Sequence, residues 1–277
     1  MKTKPHICAL QILFLIGCTL MCVYPFWWMM VASLNSPSTI FGSLKLLPTS
    51  WLWSNYKTVF THQPFARQYL NTISVAVIGT LGNVILSSMS GYAFARIRFP
   101  GRNGLFLLLL TGLMMPVEVI IIPLYFQMSG MGLNNTLYPL ILIGVFGGQG
   151  AFSAFMFRQF YVTVPVELEE AACLDGLSKA GTYWHIIWPI GKSVAASAAI
   201  LAFLNIWNMY LEPLVFINKV EQYTLSLALN NFNDTYGIPQ WPIQMAATTI
   251  SVLPVMIVYL FFQDKVTDAM VSSGVKG

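Results

Sequence analysis

The stretch of the sequence best suited to bind a partner is residues 163–189, where acidic side chains alternate with alanine and leucine. Its acidic residues are Glu167, Glu169, Glu170 and Asp175. Pro165 fits the first turn of a helix, and the glutamates after it would stabilise the positive end of the helix dipole. Gly176 would end this helix, Ser178 would cap a second one, and Pro189 would close it. The pattern predicts two short amphipathic helices joined by an exposed turn, a surface that fits a groove on another protein.

No arrangement of residues predicts a catalytic site. The histidines are His6, His62 and His185, which are far apart and form no metal-binding pair of the HExxH type. Gly191-Lys192-Ser193 imitates the end of a phosphate-binding loop, but Ile186 stands where such a loop needs its first glycine. Cys18 and Cys22 are one helical turn apart with no histidine or carboxylate near them, so we expect them to pack and to bind no metal. We expect no cofactor on this chain, and any ATP would be bound by another subunit.

The composition is that of a membrane protein. Of the 277 residues, 56% are hydrophobic and only 9% are charged, whereas soluble domains contain about 25% charged residues. A net charge of +4 is too small for a nucleic-acid-binding surface. Because a helix needs about 20 apolar residues to cross the membrane, the uncharged runs predict six spans, at about residues 9–33, 70–92, 104–128, 137–159, 193–216 and 243–263. The sequence therefore predicts an all-helical integral membrane protein.

The basic residues predict how these helices are oriented. With the N-terminus in the cytoplasm, ten of the fourteen lysines and arginines lie on the cytoplasmic side, as the positive-inside rule requires. Both termini and the acidic loop at 163–190 are then cytoplasmic, and the segment at 218–242 is external. The chain divides into an N-terminal helix with its external segment (1–69), a core of five helices (70–265) and a cytoplasmic tail (266–277).

The acidic loop carries the residues by which the chain resembles a known family. Glu170-Ala171-Ala172 is followed after three residues by Gly176, and Ile186 and Pro189 follow at the spacing of the EAA loop of bacterial ABC-importer permeases. The segment from Glu169 to Gly176 is similar to the carbohydrate-uptake, MalG-like branch of these permeases. Supporting matches are Gly91-Tyr92-Ala93-Phe94-Ala95-Arg96, Ile122-Pro123-Leu124-Tyr125 and Trp207-Asn208 before Pro213. The resemblance extends over nearly the whole chain.

The resemblance implies a type I ABC-importer permease fold with a cytoplasmic coupling loop. It also implies a second homologous permease subunit, two ATPase subunits and an external solute-binding protein, assembled in the inner membrane of a bacterium. The residues implied to couple this chain to an ATPase subunit are Glu170, Ala171, Ala172, Asp175, Gly176, Ser178 and Pro189. A short rigid helix at this position would convert closure of the ATPase into a rigid-body movement of the spans.

Polar residues within the predicted spans are candidates for the transport pathway. A carboxylate exposed to lipid in mid-span costs about 2.5–3.5 kcal/mol, so we expect Glu118 to face the pathway or another helix. The candidates in the fifth span are Asn205, Trp207, Asn208, Tyr210 and Glu212. Amide, carboxylate and aromatic groups suit a sugar, which offers hydroxyl and C–H groups; structural packing is the alternative. Gly144 and Gly148 have the GxxxG spacing and are expected to let helices approach closely.

The external segment at 218–242 is polar, rich in turn-forming residues and aromatic at its end. In the family that the chain resembles, the corresponding loop faces the solute-binding protein. The docking candidates are therefore Asn231, Asn233, Asp234, Tyr236 and Trp241. A solvated connector without a partner is the alternative interpretation of this segment.

Two other functions stay open from the sequence. A permease of the same architecture would carry a cargo other than a sugar, such as glycerol phosphate, but an anionic cargo favours basic residues along the pathway, and none lies securely inside a predicted span. A self-contained channel or secondary transporter would usually show broken helices in two repeated halves, and the sequence shows no internal repeat.

Overall fold

The structure, a computed structural model, is almost entirely helical. It describes the backbone of residues 5–40, 46–233 and 236–274 and the side chains of residues 11–40, 46–233 and 236–263. The helices before the acidic loop are α1 (Pro5–Ser33), α2 (Ser54–His62), α3 (Phe65–Arg96), α4 (Arg102–Met114), α5 (Val117–Gly130), α6 (Tyr138–Phe146) and α7 (Gly148–Thr163). The remaining helices are α8 (Glu167–Leu174), α9 (Lys179–Thr182), α10 (Trp188–Ile190), α11 (Lys192–Trp207), α12 (Leu211–Phe216), α13 (Leu225–Ala228) and α14 (Trp241–Gly274).

Long apolar helices confirm the predicted class of protein. Those able to cross a membrane are Gln11–Ser33, Phe65–Arg96, Tyr138–Thr163 and Trp241–Gln263. Two further pairs of helices, α4 with α5 and Lys179–Ile190 with α11, are bent by 104° and 76°. In the described part of the chain the number of spans is therefore four, or six if each bent pair counts as one. The prediction of an all-helical integral membrane protein is confirmed.

The third predicted span, residues 104–128, is wrong as a single straight helix. α4 ends at Met114, and α5 begins at Val117 after a bend of 104°. Pro116 has no N–H to donate to a carbonyl of the preceding turn. Its ring also favours extended backbone at Met115, which here has ψ 114°. The proline therefore stops the first helix in the middle of an apolar run.

The fifth predicted span, residues 193–216, is also interrupted. Residues 208–210 separate α11 from α12. In a continuous helix the carbonyl of Met209 would need the N–H that Pro213 lacks. This carbonyl instead accepts a hydrogen bond from the hydroxyl of Ser226, with an oxygen–oxygen distance of 2.5 Å. The break is therefore compatible with an apolar surrounding, because the acceptor it exposes has a partner.

The acidic loop contains the two short helices that its sequence predicts, with differences at both prolines. α8 begins at Glu167, two residues after Pro165, so this proline precedes the helix and is not part of its first turn. Pro189 does not close the second helix, because α9, a π turn at Tyr183–Ile187 and α10 form one continuous run. The π turn widens the helix directly before the proline and moves away the carbonyl with which its ring would clash.

Residues 1–65 and 228–253 form one compact unit. Within this unit α1 is apolar on every side. It is exposed from residue 11 to residue 27, whereas Val31, Ala32 and Ser33 at its end are buried. Cys18 and Cys22 are exposed on this helix, so the expectation that they pack inside the chain is wrong. The spacing places them on one face, but no other element of the unit covers that face in the described part of the chain.

Asparagine side chains hold the segment that follows α1, which the sequence predicts to be external. The backbone N–H of Thr49 donates to Oδ1 of Asn35 at 2.8 Å, and Nδ2 of Asn55 donates to the carbonyl of Ser33 at 2.8 Å. These bonds satisfy the N–H of Thr49, which lies outside any helix, and the carbonyl of the last residue of α1. The segment therefore has a defined course although it contains little regular structure.

Residues 66–227 and 254–277 form a second compact unit. Its aromatic core lies where α3 crosses α7, and the two backbones approach there at Gly91. A Cβ atom at Gly91 would lie 2.5 Å from Cβ of Phe157 and 2.8 Å from the backbone nitrogen of Arg158. Since real Cβ atoms do not approach other atoms so closely, only glycine fits at this crossing.

The GxxxG glycines of the fourth span have the packing role expected of them. A Cβ at Gly144 would lie 2.9 Å from Cδ1 of Ile206 on α11, and one at Gly148 would lie 3.3 Å from the carbonyl oxygen of Gly112 on α4. Nδ2 of Asn83 also donates to the carbonyl of Gly144 at 2.9 Å. The prediction of close helix packing at these glycines is confirmed.

Replacing Gly91 with alanine is expected to destabilise the protein by about 1–3 kcal/mol, because the added methyl group forces α3 and α7 apart. Thermal unfolding of the purified protein in detergent would measure the change. Gly112→Ala is the matched control, since a Cβ there meets no atom within 4 Å, and alanine favours a helix by up to about 1 kcal/mol over glycine. Equal melting temperatures for the two variants would contradict the packing argument.

Candidate functional site

α8 has one face against the protein and one face exposed. Ala172 is 2% exposed, whereas Leu174 is 90% exposed although it is large and apolar. Other large apolar side chains exposed at this helix are Val166 and Leu168. The neighbouring Glu170, Ala171 and Asp175 are exposed as well. An apolar patch of this kind, bordered by carboxylates, is typical of a surface that a partner covers.

α8 ends in a Schellman motif built on Gly176. The N–H of Gly176 donates to the carbonyl of Cys173, and the N–H of Leu177 donates to the carbonyl of Ala172, both at 3.0 Å. Gly176 has φ +86°, which residues with a Cβ rarely adopt. A Cβ at Gly176 would meet no atom within 4 Å, so the turn is open on its outer side. The predicted end of the first helix at Gly176 is confirmed.

The second loop helix begins at the predicted cap. Oγ of Ser178 accepts a hydrogen bond from the backbone N–H of Gly181 at 3.2 Å. The helix then turns Tyr183 and Ile187 into the protein, where they are 4% and 0% exposed, while Trp184 stays exposed. The prediction that Ser178 caps this helix is confirmed.

One face of α3 supports both loop helices. Ser88, Tyr92 and Arg96 follow each other at intervals of four residues, so they lie one above another on the same side of the helix. We refer to these three residues as the inner stripe of α3. Ser88 contacts the second loop helix, and Tyr92 and Arg96 contact the first.

The inner stripe holds α8 through Glu169. Nε of Arg96 lies 3.0 Å from Oε1 of Glu169, and the two side chains are only 12% and 18% exposed. This contact is an ion pair and not an aligned hydrogen bond. The guanidinium of Arg96 also donates to the carbonyl of Val164, directly after α7. The hydroxyl of Tyr92 donates to the other carboxylate oxygen of Glu169 at 2.9 Å. Both oxygens of this carboxylate therefore contact α3.

The second loop helix is held by buried hydroxyl groups. The hydroxyl of Tyr183 donates to Oγ of Ser88 at 2.8 Å, and Oγ of Ser88 lies 2.6 Å from the hydroxyl of Tyr161 on α7. The ring of Tyr92 packs against the rings of Tyr161 and Tyr183, with centroids 6.2 and 5.2 Å apart. Ser88 thus provides a hydrogen-bond partner for two tyrosines that are shielded from water.

Sequence reasoning assigned Glu169 to the helix dipole and missed its contact with α3. The available signal was the four-residue spacing of Tyr92 and Arg96 at the end of an apolar helix. A tyrosine and an arginine on the buried face of such a helix need polar partners. Nothing in the sequence indicated which of the neighbouring acids supplies them.

The predicted pathway residues fall into a buried and an exposed group. Trp207 is 8% exposed, and its ring packs edge-on against Tyr69 and stacks on Phe203, with centroids 6.5 and 5.4 Å apart. Glu212 is 9% exposed. Neither side chain faces an open surface of this chain, and the packing alternative describes Trp207 better than contact with a solute does.

The exposed group lies near the two helix breaks. Glu118, Asn205, Asn208 and Tyr210 are all exposed. Nδ2 of Asn208 donates to the carbonyl of Leu204 at 2.7 Å and so caps the last turn of α11. Glu118 stands in the first turn of α5, which packs against α12. Among the described side chains, no group of three or more histidines, cysteines or acids could hold a metal ion.

The predicted docking loop contacts the end of α2 within its own unit. Nδ2 of Asn231 donates to Oε1 of Gln63 at 3.2 Å, and Nε2 of Gln63 donates to the carbonyl of Ala228 at 3.0 Å. The ring of Phe232 stacks on His62, with centroids 5.6 Å apart. These contacts link the loop to the end of α2.

The tip of the same loop is exposed. Asn233 pairs with Pro239 in an isolated antiparallel bridge, which brings the two sides of the tip together. Tyr236 is 87% exposed, and Trp241 at the start of α14 is 39% exposed. Asp234, the remaining docking candidate, lies outside the described residues.

Comparison with known proteins identifies the family. Residues 83–271 match the family described as "Binding-protein-dependent transport system inner membrane component". The chain belongs to this family. The match covers more than half of the permease component and includes α4 to α13, the C-terminal part of α3 and most of α14.

Curated relatives of this permease component are similar over most of their length. A probable permease protein for starch degradation products from Thermoanaerobacterium thermosulfurigenes is 31% identical, with 99% of each chain covered. A diacetylchitobiose uptake permease protein from Streptomyces coelicolor is 30% identical over 90% of this chain and 82% of its own. A permease protein for sn-glycerol-3-phosphate from Yersinia pestis is 31% identical over 91% of this chain and 92% of its own. The resemblance to ABC-importer permeases is confirmed.

A solved structure shows the same fold. It is the crystal structure of a bacterial ABC transporter involved in the import of the acidic polysaccharide alginate. One of its chains aligns with this permease component at a TM-score of 0.82, with 95% of this chain and 98% of that chain covered and 23% sequence identity. The predicted permease fold is confirmed by this alignment.

Replacing Ser88 with alanine is expected to lower the stability of this permease component by about 1–3 kcal/mol, because the hydroxyls of Tyr161 and Tyr183 lose a buried partner. Thermal unfolding in detergent would measure the loss. Ser90→Ala is the matched control, since it removes the same atom from α3 outside the inner stripe. If the two variants melt at the same temperature, the hydroxyl network does not stabilise the loop.

Proposed function

We propose that this permease component forms half of the translocation pathway of a sugar importer and is driven by ATPase subunits that dock on the exposed face of α8. The proposal rests on the loop, where the side chain of Leu174 is 90% exposed while Glu169 ties the opposite face of the helix to α3. Membership of a family of binding-protein-dependent transport components supports it.

The exposed face of α8 suits a groove with an apolar floor and basic edges. Leu174 would enter the floor, and the small side chain of Ala171 would allow the backbone to approach closely. Glu170 and Asp175 would face basic residues of the partner. The open turn at Gly176 would let the groove close over the end of the helix without meeting a side chain. The buried Ala172, the capping Ser178 and Pro189 in the second helix would position this surface and not contact the partner.

In this proposal ATP is bound and hydrolysed by separate subunits. Gly191-Lys192-Ser193 imitates the end of a phosphate-binding loop, but Ile186 stands where such a loop needs its first glycine. The assembly comprises this chain, a second homologous permease subunit, two ATPase subunits and an external solute-binding protein. This chain binds no cofactor of its own, and its role is to convert ATPase closure into movement of the helices.

The external loop is the proposed contact with the solute-binding protein. The exposed rings of Tyr236 and Trp241 offer amphipathic surface. The bond between Asn231 and Gln63 and the bridge between Asn233 and Pro239 fix the course of the loop around this surface. Asp234 would add a carboxylate at the tip.

The proposed orientation places the coupling loop and both termini in the cytoplasm. Ten of the fourteen basic residues are then cytoplasmic, which agrees with the positive-inside rule. The ATPase subunits need the coupling loop on the side of the membrane that holds ATP.

A sugar, of disaccharide or oligosaccharide size, is the proposed cargo. Two of the relatives are permease proteins for diacetylchitobiose and for starch degradation products. The relative for sn-glycerol-3-phosphate keeps a glycerol phosphate ester as the second candidate. Asn205, Asn208 and Tyr210 are exposed near the break between α11 and α12, and amide and phenol groups suit sugar hydroxyls better than a phosphate dianion.

Uptake by cells that lack this chain tests the cargo. We expect deletion to abolish uptake of at least one member of a panel of radiolabelled disaccharides and oligosaccharides and to leave sn-glycerol-3-phosphate uptake unchanged. The intact chain, expressed from a plasmid, should restore uptake. Loss of sn-glycerol-3-phosphate uptake alone would favour the second candidate, and unchanged uptake of every solute would contradict both.

Gly176→Leu is expected to reduce uptake by about tenfold or more, a loss within the range of coupling between sites. Leucine strains the backbone at φ +86° and places a bulky side chain on the surface that the ATPase covers. Abundance in the membrane should stay near that of the unmodified protein, because the side chain points into open space. Stimulation of the ATPase by loaded binding protein should disappear as well.

Two further variants separate strain from docking. Gly101 has φ +77° in another predicted cytoplasmic turn, and a Cβ there also meets no atom within 4 Å, so Gly101→Leu should keep most of the uptake. Gly176→Asn should keep more uptake than Gly176→Leu, because asparagine tolerates the left-handed conformation. Normal uptake by Gly176→Leu at normal abundance would mean that this loop does not couple the two subunits.

A further inference from the structure

We propose that α3 is the rod that transmits movement between the coupling loop and the external turn at Val220–Leu225, with Glu169 and Asn71 as the positioning residues at its two ends. The inference rests on the proposed function, since it assigns the path along which that coupling travels. It follows from polar contacts at both ends of one helix that runs without a break from Phe65 to Arg96.

The cytoplasmic end of α3 is fastened to both loop helices. Tyr92 and Arg96 contact the two oxygens of Glu169 on α8, and Ser88 accepts the hydroxyl of Tyr183 on the second loop helix. A docked ATPase that moves α8 would therefore pull on α3 through an ion pair shielded from water. Such a pair holds its geometry better than an exposed one, because breaking it leaves a charge buried without a partner.

The external end of α3 is fastened in a similar way to a different segment. Nδ2 of Asn71 donates to the carbonyls of Glu221 and Tyr223, both at 3.0 Å. The backbone N–H of Leu225 donates to Oγ1 of Thr72 at 2.7 Å. Gln68, one turn before Thr72, donates to the carbonyl of Val220 at 2.9 Å.

These external contacts form a second stripe on α3. Asn71 and Thr72 follow Gln68 by three and four residues, so the three lie on one side of the helix, and they are 8%, 3% and 0% exposed, respectively. We refer to them as the outer stripe. Each side chain forms a hydrogen bond with a backbone group of residues 220–225, which belong to no long helix. The position of this turn therefore depends on the position of α3. The turn leads directly to the loop proposed to face the solute-binding protein.

The helix between the two stripes is suited to act as one body. It is close-packed through glycines, since a Cβ at Gly79 would lie 2.9 Å from Ile206 and one at Gly82 would lie 2.8 Å from Val145. About 25 residues separate Asn71 from Arg96, which corresponds to about 37 Å of helix. A continuous helix transmits a displacement over this length better than a bent pair would.

The test uses one variant at each end and their combination in the complete importer. Glu169→Gln removes the charge that attracts Arg96 and keeps the size of the side chain, and Asn71→Asp replaces a double donor by an acceptor. We expect each variant to lower the stimulation of ATPase activity by loaded binding protein about fivefold or more, and to lower the solute imported per ATP hydrolysed. Basal ATPase activity should not change. Glu167→Gln and Asn103→Asp, exposed residues outside both stripes, are the matched controls.

The combined variant distinguishes transmission from local damage. If movement passes through α3, a change at either end interrupts the same path. Glu169→Gln combined with Asn71→Asp should therefore impair stimulation no more than the worse single variant does. Independent structural effects at sites so far apart would add instead, and additive losses of stimulation would overturn the proposal. Thermal stability serves as an internal comparison, because we expect its losses to add. If Glu169→Gln lowers abundance, Tyr92→Phe removes only one hydroxyl from the same contact and should show the same uncoupling.

The failure of this proposal differs from the failure of the proposed function. Normal stimulation in both single variants, with stimulation lost in Gly176→Leu, would reject α3 as the path and keep the coupling loop. Normal stimulation in all three would reject the coupling loop as well.

Discussion

The second unit depends on how closely other helices can approach α3. Lipid is as apolar as leucine, so helices in a membrane gain little from burying apolar surface and associate through tight packing and hydrogen bonds. Gly79 and Gly144 both leave room for the side chain of Ile206 on α11, Gly82 leaves room for Val145 on α6, and Gly91 lets α7 reach the backbone. α6, α7 and α11 therefore contact α3 at positions without a side chain.

The same helix satisfies backbone groups that irregularities leave exposed. α6 and α7 are separated at Gly147, and the carbonyls on either side of this interruption find partners on α3. Asn83 donates to the carbonyl of Gly144, and the hydroxyl of Ser87 donates to the carbonyl of Gly150 at 3.0 Å. An interrupted helix is tolerated within an apolar layer only when its freed groups are bonded in this way. α3 thus carries both glycines that allow neighbouring helices to approach and polar side chains that bond to their backbone carbonyls.

Much of this architecture could be predicted from the sequence, and the remainder shares a physical cause. Runs without charge predicted the long apolar helices. The local rules for caps and turns predicted that the first loop helix ends at Gly176 and that the second begins at Ser178. The bend at Pro116 escaped prediction because hydropathy measures the length of an apolar run and not its direction. The anchoring role of Glu169 and the burial of Trp207 escaped it because both depend on residues far away in the sequence. Local rules describe a residue's own turn, whereas these contacts depend on which helix lies opposite.

The π turn at Tyr183–Ile187 has a consequence for how spacing in this loop relates to geometry. Each residue of a regular α-helix advances the chain by about 100° around the axis. A π turn contains one residue more than an α turn, so every side chain after it is rotated by about that angle relative to a regular helix of the same length. Two chains with equal numbers of residues between Gly176 and Pro189 can therefore direct the second residue to different sides of the helix. In this loop, residue counts define distance along the chain, and the phase of the helix defines the face.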